Sequence, residues 1–421
     1  MLYSPGELSF PLRRCWADGT MGFGKIHPFQ RQRVTWVSLK GDQATSRAMN
    51  KRVLLGLLLR MGPLSRRDLA RSSRLSPGAV TALVQDLMSE GLVAEMDAGE
   101  SSGGRRPIPL QICFGARFSI GIKLSEAGLS GVLTDLAATE IMAAHRPAQG
   151  LRPEEVVDQL AEIVAELAPE HDPRRQKLIG VGIALPGFVD VDRGTVSSVS
   201  RILSSDMPIA RIVSQRIGLP VWIDNDVNAY VIAHRRFGLA RGKETVLAIV
   251  LGTGVGAGLV IAGKIHRGAH FRAGEIGFSP SMGLRQPGQT MGQSFSTAAI
   301  EAEWQALNPR FPDIPAAVAA GDPATLGFLD RKGQEIGRRI AVIVQMIDPD
   351  TIVIGGETLN YGPDFTQAIQ AELERNLLSP HGEIVFDAQN DLWGRGAAAL
   401  AIDHFFDFEN AAGHVATSDA D

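Results

Sequence analysis

Residues 65 to 106 constrain the fold of this chain more than any other stretch. They hold two short helical patterns joined by a tight turn, followed by a Gly-rich basic segment. Ser65 opens the first pattern: its hydroxyl can accept a backbone N–H of the first turn, and Asp68 adds negative charge there. Ser76 and Pro77 open the second. Serine caps, and proline takes the first helical position, where its missing N–H costs nothing. Ala79, Val80, Leu83, Val84 and Leu87 then form one apolar stripe, which Gly91 ends. Upstream, residues 47 to 61 set Val53, Leu54, Leu57, Leu58 and Met61 on one helical face, stopped by Gly62-Pro63. Downstream, residues 92 to 112 read as two strands around the polar turn 97 to 107.

Three helices and a hairpin in this order are the layout of a winged helix-turn-helix. Such a module inserts its second short helix into the major groove, N-terminal end nearest the bases. The outward positions there are Ser76, Gly78, Thr81 and Gln85. Small side chains at 76 and 78 allow close backbone approach, and Thr81 can touch a phosphate or a thymine methyl. Arg66, Arg67, Arg71 and Arg74 can meet phosphates. Arg105 and Arg106 sit on the wing, where arginine can enter a narrow minor groove. Residues 46 to 114 carry ten Lys or Arg against six Asp or Glu, although the whole chain has a formal charge of −4. A three-helix packing module that never meets DNA shares part of this pattern. The coincidence of caps, turn, stripe and basic wing favours the DNA-binding reading.

A length of 421 residues predicts two or three domains, and 44% hydrophobic content is enough for sizeable cores. Cys15 and Cys113 lack a CxxC neighbour, which argues against a disulfide framework or a cysteine zinc site and fits a reducing cytoplasm. No signal-peptide pattern is visible at the start. The eighteen residues 246 to 263 carry no charge, but five of them are glycines. That composition suits a strand–loop–strand unit rather than a membrane helix. From residue 117 onward strands alternate with helices. Strands are predicted within 118–134 and over 178–185, 221–223 and 351–354. Helices are predicted over 153–167, 207–217, 225–237, 324–346 and 363–376. This is a mixed α/β pattern. The expected organisation is a poorly ordered extension (1–45), a winged helix-turn-helix (46–114), an α/β body (115–407) and a disordered tail (408–421).

Four segments of the body stand in an informative order. They are Asp224-Asn-Asp-Val-Asn228, Leu251-Gly-Thr-Gly-Val-Gly-Ala-Gly258, Ala273-Gly-Glu-Ile-Gly277 and Ile354-Gly-Gly356. With the head, they make residues 47 to 405 resemble the ROK family of bacterial sugar kinases and sugar-responsive repressors. The resemblance implies an actin-like, hexokinase-like ATPase-type fold of two lobes with ligand in the cleft. It puts Asp226 where the family's kinases have their base, and Asn225, Glu275 and Gly187 among the sugar contacts. It makes Gly252, Thr253 and Gly254 a vestigial phosphate loop. Asn and Asp at a strand-to-helix junction also often serve only as caps.

The kinases of this family open with Asp-x-Gly-Gly-Thr, in which Asp holds the metal. The matching stretch here is Ile122-Lys-Leu-Ser-Glu-Ala127. Lys123 stands for the Asp, Ser125 and Glu126 for the glycines, and Ala127 for the Thr. Glu126 is expected to bring negative charge near the phosphates. Lys123 could instead bind an anion directly. Phe278 replaces a histidine of the family's zinc element, and residues 279 to 297 hold no cysteine. Phe295 falls where the family has a polar sugar contact. His266 and His270 read as loop histidines rather than zinc ligands. No cofactor and no metal are expected.

The reading that follows is a cytoplasmic transcription regulator that binds a double-stranded DNA operator as a homodimer or dimer of dimers. A small carbohydrate-like ligand in a degenerate kinase cleft would control it, with no membrane involvement. The alternatives are an ATP-dependent sugar kinase with a DNA-binding appendage, and a ligand-independent architectural protein.

Overall fold

In the head, the two short helices begin where their capping serines sit. The computed structural model describes residues 43–97, 108–148, 152–197, 207–280, 289–387 and 392–406. The extension 1–42, most of the wing turn (98–107) and the tail 407–421 lie outside the described residues. Helix α1 (Gln43–Met61) leads to a short strand β1 (Leu64–Ser65), then α2 (Arg66–Ser73) and α3 (Pro77–Ser89). Ser65 Oγ accepts the Asp68 N–H at 3.2 Å and donates to the Asp68 carboxylate at 2.7 Å. Ser76 Oγ accepts the Ala79 N–H at 3.2 Å. Between the helices Arg74 takes a left-handed conformation, φ 60°, which lets the chain reverse in three residues. Strands β2 (Val93–Glu95) and β3 (Pro109–Ile112) join β1 in a sheet of order β1-β3-β2.

The stripe on α3 is buried as expected at Val80, Leu83, Val84 and Leu87. The face of α1 differs from the expected one. Leu54, Leu55 and Leu58 are buried, whereas Met61 is 58% exposed. Met61 occupies the last turn before Gly62-Pro63, at the rim of the core, and Leu55 joins the buried cluster of the head instead.

The body repeats one topology twice. In the first lobe β4 (Phe118–Ser125), β5 (Gly128–Asp135) and β6 (Glu140–Pro147) form an antiparallel meander. Helix α4 (Pro153–Leu167) crosses to β7 (Leu178–Leu185), which pairs parallel with β4. A small hairpin, β8 (Phe188–Asp190) and β9 (Thr195–Ser197), precedes α5 (Ile209–Ile217). Strand β10 (Val221–Asn225), parallel to β7, then runs into α6 (Asp226–Phe237).

The second lobe has a meander of β11 (Val246–Leu251), β12 (Val255–Ile261) and β13 (Lys264–Ile265). Helices α7 (Met291–Phe295), α8 (Thr297–Leu307), α9 (Ile314–Ala319) and α10 (Pro323–Ile347) follow. Strand β14 (Thr351–Gly355) is parallel to β11. Helix α11 (Pro363–Asn376) then leads to β15 (Glu383–Phe386), parallel to β14. The sheet orders β10-β7-β4-β5-β6 and β13-β12-β11-β14-β15 are the same arrangement. Parallel neighbours require crossover connections, and α4, α5, α10 and α11 supply them.

The last helix, α12 (Trp393–Phe406), returns to the first sheet. It lies on the face opposite α4, very close to the strands. A Cβ on Gly121 would overlap the Gly394 carbonyl, and one on Gly182 would overlap the Ala397 carbonyl. Ser119 Oγ donates to the Ala398 carbonyl at 3.1 Å. Glycine is required at 121 and 182 because backbone faces backbone there. At its C-terminal end α12 buries Ile402 and Phe406 among Leu54, Leu58 and Leu69 of the head, joined by Leu136 and Ala138 from the β5–β6 turn. The head therefore shares its core with the first lobe. Among the described residues, no helix is long and apolar enough to cross a membrane.

Candidate functional site

On the head, Ser76 at the N-cap of α3 and Gly78, Thr81 and Gln85 along the helix are all exposed. A Cβ at Gly78 would have nothing within 4 Å. Thr81 Oγ1 donates to the Pro77 carbonyl at 2.9 Å, so its hydroxyl is already satisfied within the helix. The cations divide into two groups. Arg47 and Lys51 are drawn onto Asp86 and Glu90, and Arg47 holds the Asp86 carboxyl down at about 2. Arg71 pairs with Asp68 at 2.8 Å, and Arg66 with Glu95 at 2.7 Å. Arg67 and Arg74 remain exposed beside the turn. Arg66 is thus tied to the wing sheet, although an exposed pair of this kind is weak and a phosphate can compete for it. Arg105 and Arg106 lie outside the described residues.

The cleft is built where β10 runs into α6. Asn225 caps that helix: its Oδ1 accepts the N–H groups of Val227 at 2.9 Å and Asn228 at 3.3 Å. Its Nδ2 donates to the Gly187 carbonyl at 3.1 Å. Asn225 and Gly187 are therefore brought together, and much of the Asn225 amide is taken up by capping.

Asp224 is fully buried beneath them. Its Oδ1 accepts from Asn225 N–H and Asn228 Nδ2, and its Oδ2 accepts from Arg267 Nε at 3.0 Å and Nη2 at 2.6 Å. Arg267 comes from the loop after β13, so this pair ties a second-lobe loop to a first-lobe strand. Sequence reasoning missed Arg267, because an isolated arginine in a Gly-containing loop gives no local signal.

Asp226 begins α6, and its Oδ1 accepts the Val227 N–H at 2.9 Å. Burial pushes its carboxyl up, the Lys123 ammonium opposes this, and Glu357 adds to it. Glu275 is pushed up to about 7 by burial, with Asp226 adding and Arg272 opposing. The two expected sugar-contacting acids are thus electrostatic neighbours. At the mouth, Phe188 and Phe278 lie 5.7 Å apart, and the Arg272 guanidinium sits 4.9 Å from the Phe188 ring centre. Phe295 does not join them. It is fully buried in the second-lobe core, with the Lys332 ammonium 5.7 Å from its ring centre. The short helix α7 turns it inward, so only Phe278 changes the surface of the cleft. His266 and His270 are exposed loop residues.

On the other side of the cleft, Gly252 N–H donates to the Gly254 carbonyl at 2.9 Å, while Thr253 and Gly254 are exposed. The space over Gly252 is filled by the Glu357 carboxylate, which a Cβ there would overlap. Glu126 is exposed in the β4–β5 turn. The acid lying against the Gly252 turn is therefore Glu357, which sequence reasoning did not select. Lys123 Nζ lies 3.5 Å from the centre of the Trp393 ring. Burial pushes the ammonium down, opposed by Asp226 and then Glu357.

Comparison with known proteins gives a consistent result. Residues 50–94 match a winged helix-turn-helix DNA-binding family. The chain is 26% identical over 379 residues to the xylose repressor of Bacillus subtilis, covering 87% of this chain and 98% of that protein. It is 26% identical over 334 residues to the DNA-binding transcriptional dual regulator NagC of Escherichia coli, covering 75% and 82%. A solved ROK family transcriptional regulator, described as a homologue of the E. coli MLC protein, shares the fold. Its TM-score is 0.74 at 23% identity, over 87% of this chain and 98% of that one. Residues 120–404 match the ROK family itself, so this chain belongs to the ROK family and carries a winged helix-turn-helix DNA-binding head.

Proposed function

We propose that this protein is a DNA-binding transcription regulator, acting as a repressor, whose cleft senses a sugar or sugar-derived ligand without phosphorylating it. One observation carries the reading. The helix-turn-helix shares a hydrophobic core with the body through Ile402 and Phe406 of α12, whose other end, Trp393, is buried beneath the Lys123 ammonium. A ligand that favours one lobe arrangement can therefore move the head. Control of DNA affinity then follows from unequal ligand affinity for the two arrangements.

Asp226 and Glu275 are the proposed acceptors for sugar hydroxyls, with Asn225 and Gly187 fixing the end of β10 beside them. Ser76, Gly78, Thr81 and Gln85 are the proposed base-facing positions, and Arg66, Arg67, Arg105 and Arg106 the proposed phosphate or minor-groove contacts. The proposed assembly is a homodimer or dimer of dimers in the cytoplasm. A two-fold protein matches a palindromic double-stranded operator. The proposed domain limits are 46–114 for the head and 115–407 for the body.

Sugar phosphorylation needs a base, a sugar clamp and a place for magnesium and ATP phosphates. Asp226 suits the first and Glu275 the second. The third does not fit these residues: Lys123 brings an ammonium where the kinases have a metal-holding acid, and Glu357 lies over Gly252. We therefore read Gly252, Thr253 and Gly254 as a turn kept for its geometry.

The test is fluorescence anisotropy on DNA fragments upstream of neighbouring transport or catabolic genes, with a panel of sugars. Binding to a palindromic site that one sugar alters is expected. Absence of DNA binding at moderate salt would overturn the reading. So would sugar-dependent ADP release that Asp226→Asn abolishes.

A further inference from the structure

The second-lobe loop that leaves β13 is folded tightly on itself. The Arg267 carbonyl accepts the Ala273 N–H at 3.1 Å, and Gly268 turns the chain between them with φ 75°. Both ends are stapled to β12: His266 N–H donates to the Leu259 carbonyl at 2.7 Å, and the Gly274 carbonyl accepts the Ala257 N–H at 2.8 Å. Glu275 follows directly, so this loop is the mount of that carboxylate.

The side chains of the same loop reach across to the first lobe. Ile265, at its root, packs with Trp222 against Ile232 and Leu400. Arg272 lies over the Phe188 ring, which Phe278 also approaches. The Arg267 guanidinium sets both Nε and Nη2 on Asp224 Oδ2. Asp224 is 1% exposed, and its other oxygen accepts the Asn225 N–H at 2.8 Å and Asn228 Nδ2 at 2.9 Å. One buried carboxylate is therefore the meeting point of two halves of the cleft. One half is the strand end that bears Asn225 and Asp226; the other is the loop that bears Glu275. A carboxylate so deeply buried needs charge and donors to replace the water it has lost, and a forked guanidinium supplies both.

We propose that Arg267 is the positioning residue that assembles the sugar site across the two lobes. It acts through Asp224 and need not meet the ligand itself: it sets where Glu275 stands relative to Asn225 and Asp226. Without the guanidinium the Asp224 carboxylate is left buried and unpaired, so the strand end must yield as well as the loop. Lysine cannot copy the fork, but it can still bring one ammonium to the carboxylate. The inference deepens the sugar-sensing reading and rests on it for the role of Glu275, while the joint itself is tested without sugar or DNA.

The experiment is hydrogen–deuterium exchange of the full chain, followed on peptides covering 222–230 and 266–278. Wild type is compared with Arg267→Met, Arg267→Lys, Asp224→Asn and the double variant Asp224→Asn with Arg267→Met. Arg267→Met is expected to speed exchange about tenfold in both segments, although the substituted residue belongs to only one of them. Asp224→Asn should loosen the same two, and adding Arg267→Met to it should change little, because the pair is already broken. Arg267→Lys should recover part of the protection on both sides. Acceleration confined to 266–278 in Arg267→Met, or lysine no better than methionine, would reduce Arg267 to a local loop contact. The Arg267 side chain is 27% exposed, so these two variants decide the matter even if Asp224→Asn does not fold.

Calorimetric titration of free D-aldopentoses and D-aldohexoses, one at a time, tests the consequence for the site. A sugar that binds wild type is expected to bind Arg267→Met about tenfold more weakly, a loss of about 1.4 kcal/mol. Equal affinity would overturn the positioning role. A wild type that binds none of them counts against the sugar reading, and the exchange result still decides the joint.

Discussion

Phe406→Ala is expected to release the head from the body while both lobes stay folded. Phe406 is 7% exposed and belongs to the core that Leu54, Leu58, Leu69 and Leu87 build. It stands at the C-terminal end of α12, one residue after Phe405, whose ring packs edge-on against it at 5.2 Å. Truncating a core phenylalanine costs about 3–5 kcal/mol, part from lost transfer and part from the cavity left behind. A module as short as 46–114 draws about 3–5 kcal/mol from a single core. The two quantities match, so the variant head should sit near zero net stability. The lobe cores are separate clusters that do not include Phe406, and they should keep theirs. Calorimetry should therefore show a small low-temperature transition split from the main one. Limited proteolysis should nick the head first, since cleavage follows the population of the opened form. Operator affinity should fall only a fewfold, because a head near zero stability is still folded about half the time. A single cooperative transition, shifted as a whole or unmoved, would refute the reasoning. It would mean that head and lobe unfold as one body and that the shared core is not a joint.

Three further outcomes follow from single sites. Glu275 titrates at about 7, so its stabilising contribution in the free protein is present at acid pH and lost as pH rises through that value. Glu275→Gln should raise Tm at alkaline pH and not at acid pH. In wild type, sugar affinity should rise across the same window and in the variant stay flat, measured by titration calorimetry. Gly182→Ala should cost about 3 kcal/mol or more, because the added Cβ overlaps the Ala397 backbone, which has no flexible end to yield. Gly254→Ala, with nothing within 4 Å, should cost far less in the same denaturation assay. Arg105→Ala with Arg106→Ala should weaken operator binding and flatten the log–log salt slope by up to about 2; an unchanged slope would remove the wing from the interface.

What the sequence discloses and what it hides divide along one physical line. Caps, turns and half-buried faces are local, so they leave a local mark. Ser65 and Ser76 announce their helices, Pro153 and Pro363 begin theirs, and the glycines of 246–263 betray a hairpin. Asn225 shows both roles that its residue type allows, and only coordinates reveal that capping uses most of its amide. The assignments that moved are those that depend on partners distant in the chain. Phe295 looks like a cleft residue until α7 turns it into the core, and Glu126 looks like the obstructing acid until Glu357 is found over Gly252. Arg267 has no signature at all until Asp224 is seen buried beneath it.

Helix α12 is the extreme case. A surface helix advertises itself by an apolar stripe, because one face meets water. Residues 393–406 meet the sheet on one side, α6 on another and the head at the end, so only Arg395, Asp403, His404 and Phe405 keep partial exposure. Gly394, Gly396 and the run Ala397 to Ala399 are chosen for thinness, since Gly121 and Gly182 leave room for backbone and nothing more. Such a segment reads from sequence as featureless small residues. Yet its first residue carries the Lys123 ammonium and its last fills the head. Close backbone packing along its whole length leaves little slack, so displacement of either end must be taken up at the other or by the strands between. Whatever alters the lobes around Lys123 is therefore mechanically connected to the recognition helix through the one element without a recognisable pattern.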